Sequence, residues 1–209
     1  MPRRPVELYE GSGAVGIMGG SFDPIHLGHL VTAEQARAEL GLDEVVFIPA
    51  GDQPQKVHAT PPELRYLMTV LATAANPAFS VSRLEIDRDG PTYTVDTLRL
   101  MRERRPDDDL YFITGADAIL NILTWKDAEE CVALAEFVAA TRPGYDLRRL
   151  ESEGLRRHVR ILDVPALAIS SSDVRARFAG GRPVRYLIPL EVEQFARKYR
   201  LYDSSRDRQ

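Results

Sequence analysis

An α/β fold is predicted, one parallel sheet covered by helices on both faces. Three observations carry this. Short apolar runs alternate along the chain with longer stretches of helical periodicity. The runs at 14–18 and 44–49 are nearly continuous in Val, Ile, Met and Phe, as strands buried on both faces are. A glycine pair, Gly19-Gly20, follows the first run and leads to a helical stretch, the strand–turn–helix order of Rossmann-like domains.

The elements follow in order. The first strand spans 14–18. In the helix over 30–40, Leu30, Ala33, Ala36 and Leu40 recur at the spacing of one face, and Gly41 stops it. Asp23-Pro24 reads as a helix start, with Asp as cap and Pro at the first position. The second strand spans 44–49, and a polar loop over 50–60 contains Lys56 and His58. A helix runs over 61–75 with Leu64, Leu67, Met68 and Leu71 inward, and Asn76-Pro77 ends it. Residues 79–86 alternate as a strand does, and Asp89-Gly90-Pro91 turns the chain. Thr94 caps a helix that turns Val95, Leu98 and Met101 inward, and Asp96 supports its start. A strand over 109–114 leads into the turn Gly115-Ala116-Asp117, and a short helix and Trp125 follow. Next come a helix over 127–134, a strand over 137–141, a polar helix over 147–155 and a short strand over 159–164. A helix over 172–178 stops at Gly180-Gly181. The terminal helix over 189–199 carries Val192, Phe195, Ala196 and Tyr199 on one face.

The chain of 209 residues suits one domain, over 14–202, with flexible ends at 1–13 and 203–209. A net charge of −4 argues against general nucleic-acid binding. Only three of the 27 basic residues are lysine: Lys56, Lys126 and Lys198. Cys131 is the sole cysteine, so no internal disulfide forms, and it reads as a small buried hydrophobe. One Cys and four His without ligand spacing give no structural metal site. The absence of a signal sequence and of a membrane-length apolar run points to a cytoplasmic protein with no membrane partner.

The chain is organised around Gly19-Gly20-Ser21-Phe22-Asp23-Pro24-Ile25-His26-Leu27-Gly28-His29. The glycines allow close backbone approach to a ligand, and a helix N-terminus favours an anion. His26 and His29 are three apart and share a helix face, where two imidazoles can bridge phosphate oxygens. The stretch has neither a Walker lysine nor a Gly-x-Gly-x-x-Gly pattern, which excludes P-loop kinases and ordinary dinucleotide dehydrogenases. A second stretch, Ile169-Ser170-Ser171-Ser172-Asp173-Val174-Arg175, places hydroxyls and free N–H groups at a helix start. Arg175 can reach back over the same anion.

His26-Leu27-Gly28-His29 resembles the His-x-Gly-His element of the nucleotidyltransferase superfamily related to class I aminoacyl-tRNA synthetases. The full glycine–histidine stretch resembles that of bacterial nicotinate-nucleotide adenylyltransferases, and the likeness extends to Tyr186-Leu187-Ile188-Pro189 and the final helix. The resemblance implies a nucleotidyltransferase-type fold whose C-terminal helical segment carries the second phosphate motif. It implies transfer of the adenylyl group of ATP to nicotinate mononucleotide, giving deamido-NAD and pyrophosphate, with Mg²⁺ accompanying ATP. His26, His29 and Arg175 are implied as catalytic. Gly19, Gly20, Ser21, Phe22, Gly115, Asp117, Arg142, Ile169, Ser170, Ser171 and Ser172 are implied to contact ATP, together with His29 and Arg175. Ser172 stands where the family usually has threonine, and the hydroxyl is kept.

The mononucleotide is implied to meet Ser21, Lys56, Thr94 and Trp125. Gln53-Pro54-Gln55-Lys56 lacks the histidine that commonly precedes the family's lysine, and Thr92 replaces a serine in Thr92-Tyr93-Thr94-Val95-Asp96-Thr97-Leu98. Thr94 equally fits a plain helix cap, and Arg142 a solvated strand end. A lone tryptophan such as Trp125 suits a core, and a flat indole also suits stacking on a pyridinium ring. Phosphopantetheine adenylyltransferases lack the segment at 92–98, and the cytidylyltransferase Arg-Thr-Glu-Gly-Ile-Ser-Thr string is absent. The Lys-Met-Ser-Lys-Ser loop of class I synthetases is absent too. Two other readings stay open: an adenylyltransferase for nicotinamide mononucleotide or another phosphorylated acceptor, and a non-catalytic nucleotide sensor. Homo-oligomer formation is compatible with every reading.

Overall fold

The computed structural model describes residues 12–52, 60–119, 125–141, 159–165 and 167–203, without the side chains of Ala116 and Asp117. Six parallel strands form one sheet among these residues: β1 (Ala14–Gly20), β2 (Glu44–Pro49), β3 (Phe79–Val81), β4 (Asp109–Gly115), β5 (Glu136–Thr141) and β6 (Val159–Asp163). Their order is β3-β2-β1-β4-β5-β6. The helices are α1 (Leu27–Leu40), α2 (Pro62–Thr73), α3 (Thr94–Arg104), α4 (Ala116–Ile119), α5 (Ala128–Leu134), α6 (Ser171–Ala179) and α7 (Leu190–Lys198).

Strand alternation divides the core in two. Val15, Ile17, Val46, Ile48, Phe137 and Ala139 point to one face and pack with Val95 and Leu98 of α3 and Cys131 of α5. Met18, Val45, Phe47, Ile113 and Val138 point to the other, against Ala33 and Ala36 of α1, Met68 of α2, Val174 of α6 and Val192 of α7. Burial on both faces explains why the strands read as unbroken apolar runs. The first strand pairs with β2 on one side and β4 on the other, so strand order reverses between β1 and β4. In such sheets the crevice outside the strands' carboxyl ends at that point takes the ligand.

Several sequence expectations are corrected. The first helix begins at Leu27 with His26 as its cap, so Asp23-Pro24 lies in a turn before it. The strand expected over 79–86 closes at Val81, because the Ser82 hydroxyl takes the Leu84 amide at 3.2 Å and the chain turns away. Thr94 is the first residue of α3, and Tyr93 occupies the cap position. No turn separates β4 from the following helix, which starts at Ala116. Helix α6 starts one residue earlier than expected, with Ser170 as its cap. In α2, Leu67 faces solvent and Arg65 is fully buried. Tyr199 is also exposed, its ring lying 4.6 Å from that of Phe195. The polar helix expected over 147–155 lies outside the described residues, as do 1–11 and 204–209. Cys131 is buried, and burial pushes its thiol up to about 11.

Candidate active site

A cleft of about 570 Å³ opens where β1 and β4 diverge. Gly19 and Gly115 form its floor at the strand ends, His26 and His29 one wall, and Ile169, Ser170 and Ser171 the other. Gly19 and Ser171 stand 152 positions apart in the chain, and the sheet brings them together.

The histidine pair is built by the start of α1. The His29 amide donates to the His26 carbonyl at 3.0 Å, and the His26 amide donates to His29 Nδ1 at 3.2 Å. The rings stack with centroids 3.7 Å apart. Because His29 Nδ1 accepts, its neutral ring carries the proton on Nε2, a donor. Burial lowers the His26 pKa to about 4, and burial followed by His26's charge holds His29 below the ordinary imidazole range. Both rings are therefore neutral at pH 7 without a ligand. The buried His26 Nδ1 has no hydrogen-bond partner among the described residues, and such an orphan is a mark of a site. Gly28 makes the stack possible: a Cβ there would stand 3.0 Å from His26 Nδ1. Phe22, at φ 48° in the left-handed region, lays its ring edge-on to His29 at 5.1 Å.

The loop from Ser21 to His26 is strapped by distant elements. The Ser171 hydroxyl donates to the Pro24 carbonyl at 2.9 Å, and the Arg175 guanidinium to the Asp23 carbonyl at 2.7 Å. The Tyr202 hydroxyl donates to the Asp23 carboxylate at 2.7 Å. Arg65 donates to the Ser21 carbonyl at 2.8 Å, and the Leu27 amide to the Leu187 carbonyl at 3.0 Å. Desolvation and the charge of Asp23 together push the Tyr202 hydroxyl well above the usual phenol range.

The second motif forms the start of α6. The Ser170 hydroxyl caps α6 by accepting the Asp173 amide at 3.1 Å, and that of Ser171 is engaged with Pro24. The first two amides of α6, those of Ser171 and Ser172, have no acceptor among the described residues, so main-chain N–H groups are left free at this helix start. The Ser172 hydroxyl accepts from Arg175 at 3.3 Å.

Thr94 and Trp125 do not line this cleft. Trp125 is half-buried on the other face of the sheet, edge-on to Phe112 and Phe137 at 6.2 Å each. Phe112 in turn closes against Gly19, where a Cβ would lie 3.4 Å from its ring. Thr94 opens α3 beside Tyr93, over whose ring Lys126 Nζ sits at 4.7 Å. Gly20 ends β1, Ser21 and Phe22 lie in the loop that follows, and none of the three lines the cleft. Lys56, Arg142 and the Asp117 side chain lie outside what the structure describes.

Sequence reasoning missed Arg65 and Tyr202. For Arg65 a signal existed: Arg65, Thr69 and Thr73 recur at i, i+4 and i+8, all buried, along the flank of Met68. Each threonine hydroxyl donates to the carbonyl four residues back, at 2.8 and 2.9 Å. Tyr202 carried no such pattern.

Residues 17–177 match the cytidylyltransferase-like family. The chain is 57% identical over 187 residues to a protein of Paenarthrobacter aurescens (strain TC1) named "Probable nicotinate-nucleotide adenylyltransferase", covering 88% of this chain and 89% of that one. It is 58% identical over 190 residues to a protein of the same name from Clavibacter michiganensis subsp. michiganensis (strain NCPPB 382), covering 91% and 94%. Its fold is similar to that of the Plasmodium falciparum nicotinic acid mononucleotide adenylyltransferase complexed with NaAD, with a TM-score of 0.78 at 23% identity, over 91% of this chain and 97% of that one. Identity above one half along nearly the whole length, on a fold with its cleft at the β1–β4 crossover, leaves one conclusion: the chain belongs to the nicotinate-nucleotide adenylyltransferase family.

Proposed function

We propose that the protein transfers the adenylyl group of ATP to nicotinate mononucleotide, forming nicotinate adenine dinucleotide and pyrophosphate in NAD biosynthesis. The observation that carries this is the neutral, stacked His26–His29 pair at a helix N-terminus, facing the unpaired amides of α6 across one cleft. The mononucleotide phosphate attacks the α-phosphorus in line with the pyrophosphate leaving group. The reactants are both anions, so the site's work is to align them and to stabilise the charge that moves onto pyrophosphate. His29 Nε2–H donates to a phosphate oxygen, and His26 offers its ring edge beside it. The α6 amides and the free N–H groups of Arg175 take the β- and γ-phosphates. No enzyme nucleophile is needed.

The donors around the cleft are N–H and hydroxyl groups, which complement phosphate oxygens. Mg²⁺ accordingly arrives as part of the MgATP substrate, held by phosphate oxygens and water. Trp125, Thr94 and Lys56 form the mononucleotide side, with the indole against the pyridine ring. The cytoplasm is the compartment of this reading and the two nucleotides are its partners.

Pyrophosphate release, measured in parallel with nicotinate and nicotinamide mononucleotide, tests the reading. Faster release with the acid is expected. ATP binding without release with either acceptor would replace the enzyme by a nucleotide sensor.

A further inference from the structure

Arg65 is a charged side chain with no exposed surface, set in the first turn of α2. Burying a guanidinium is costly, and burial does pull its pKa below the ordinary arginine range, against the opposing charges of Asp23, Tyr202 and Glu85. A leucine or methionine would fill that volume without the cost. What the guanidinium does instead is donate to three main-chain oxygens: Ser21 at 2.8 Å, Thr60 at 3.1 Å and Gly51 at 3.4 Å. Ser21 belongs to the loop that carries the histidine pair. Gly51 and Thr60 stand on either side of the segment that contains Lys56.

The three oxygens thus come from the loop after β1 and from the two ends of the segment after β2. Gly51 has no slack of its own, since a Cβ there would lie 2.2 Å from the Glu85 carbonyl. Its amide also donates to the Glu85 carboxylate at 3.4 Å. Beneath Arg65, the Thr69 and Thr73 hydroxyl bonds continue the buried polar row along α2, which packs against α7, β2 and β3. A planar fork on a rigid helix therefore spans the gap between the ATP loop and the loop after β2. A lysine, with one compact ammonium, cannot hold three carbonyls in that fan.

We propose that Arg65 is a positioning residue for adenylyl transfer: it fixes the distance between the triphosphate loop and the mononucleotide loop, and so the in-line approach of the acceptor phosphate. It touches neither substrate. The proposal rests on the adenylyl-transfer reading above. Displacement of a reacting group by about 1 Å costs on the order of a hundredfold in rate, whereas each nucleotide still finds its own half-site.

The test compares wild type with Arg65→Lys in pyrophosphate release at varied ATP and nicotinate mononucleotide. Turnover is counted per molecule that binds a non-hydrolysable ATP analogue, so partial unfolding does not enter. The expected result is a kcat lower by about a hundredfold with both KM values within about threefold of wild type. Three results overturn the proposal: a kcat within about threefold of wild type, a change confined to KM, or a variant that binds no ATP analogue, which would assign Arg65 to folding alone. Wild type that releases no pyrophosphate overturns the parent reading instead, and this proposal with it.

Discussion

On the side of the sheet that carries His26 and His29, the reactive loop is fixed by hydrogen bonds to its own main chain. Arg65, Ser171 and Arg175 each reach a carbonyl, and Tyr202 reaches the Asp23 carboxylate. On the side that carries Trp125 and Thr94, aromatic edges and surface ion pairs do the holding. Arg99 joins Asp96 of α3 at 3.0 Å and Glu130 of α5, and Lys126 lies 3.6 Å from Asp96. Partly exposed pairs of this kind contribute about 0–1 kcal/mol each and tolerate adjustment. Carbonyl straps fix atoms far more tightly. The difference matches the two tasks of the proposed reaction: phosphoryl transfer depends on alignment, while recognition of a flat ring depends on contact area.

Four experiments break or sharpen this contrast, in order of expected effect. His29→Ala removes the Nε2–H donor and is expected to lower kcat by about a thousandfold, as loss of one preorganised donor does. Its circular dichroism and melting temperature should change little by comparison. Normal turnover would end the assignment of the tight side to catalysis.

The second uses pH. His26 is neutral in the fold down to about pH 4 but titrates near 6.5 when unfolded. Between those values the unfolded chain binds more protons, so its stability contribution is full above pH 6.5 and is lost as pH falls toward 4. The loss from His26 is about 3 kcal/mol, read from urea midpoints. His26→Asn should flatten that slope. A Trp125→Ala slope matching wild type would confine the pH sensitivity to the phosphate side.

Third, Gly28→Ala forces a methyl against the His26 ring and should lower kcat by about a hundredfold with the mononucleotide KM unchanged. Fourth, Trp125→Ala removes a stacking surface worth about 1 kcal/mol or more. The expected effect is a rise of about fivefold to tenfold in the mononucleotide KM alone, measured at saturating ATP. A fall in kcat as large as that of His29→Ala would erase the distinction between the two sides.

The strands were legible because burial on both faces leaves continuous apolar runs; the second strand falls on 44–49 as its sequence reads. The glycine–histidine loop was legible as a turn between β1 and α1 because its glycines and histidines fall within eleven residues, although the cap is His26 and not Asp23. The straps were not, because their partners stand 44 to 179 positions apart and a hydroxyl or guanidinium carries no mark of its distant partner. Arg65 misled because residue type says surface while helical phase says core. The serine cluster was legible only in part: the bond from the Ser171 hydroxyl to the Pro24 carbonyl spans 147 positions, and no local pattern marks it.

The bond from Tyr202 to Asp23 has a consequence for how the enzyme comes into being. A ribosome adding about 5 to 20 residues per second makes position 23 roughly 10 to 35 seconds before position 202. During that interval β1, α1 and β2 can assemble, but the loop between β1 and α1 still waits for its last strap. The loop between β1 and α1 therefore receives this strap only after position 202 has been made, later than every strand of the sheet.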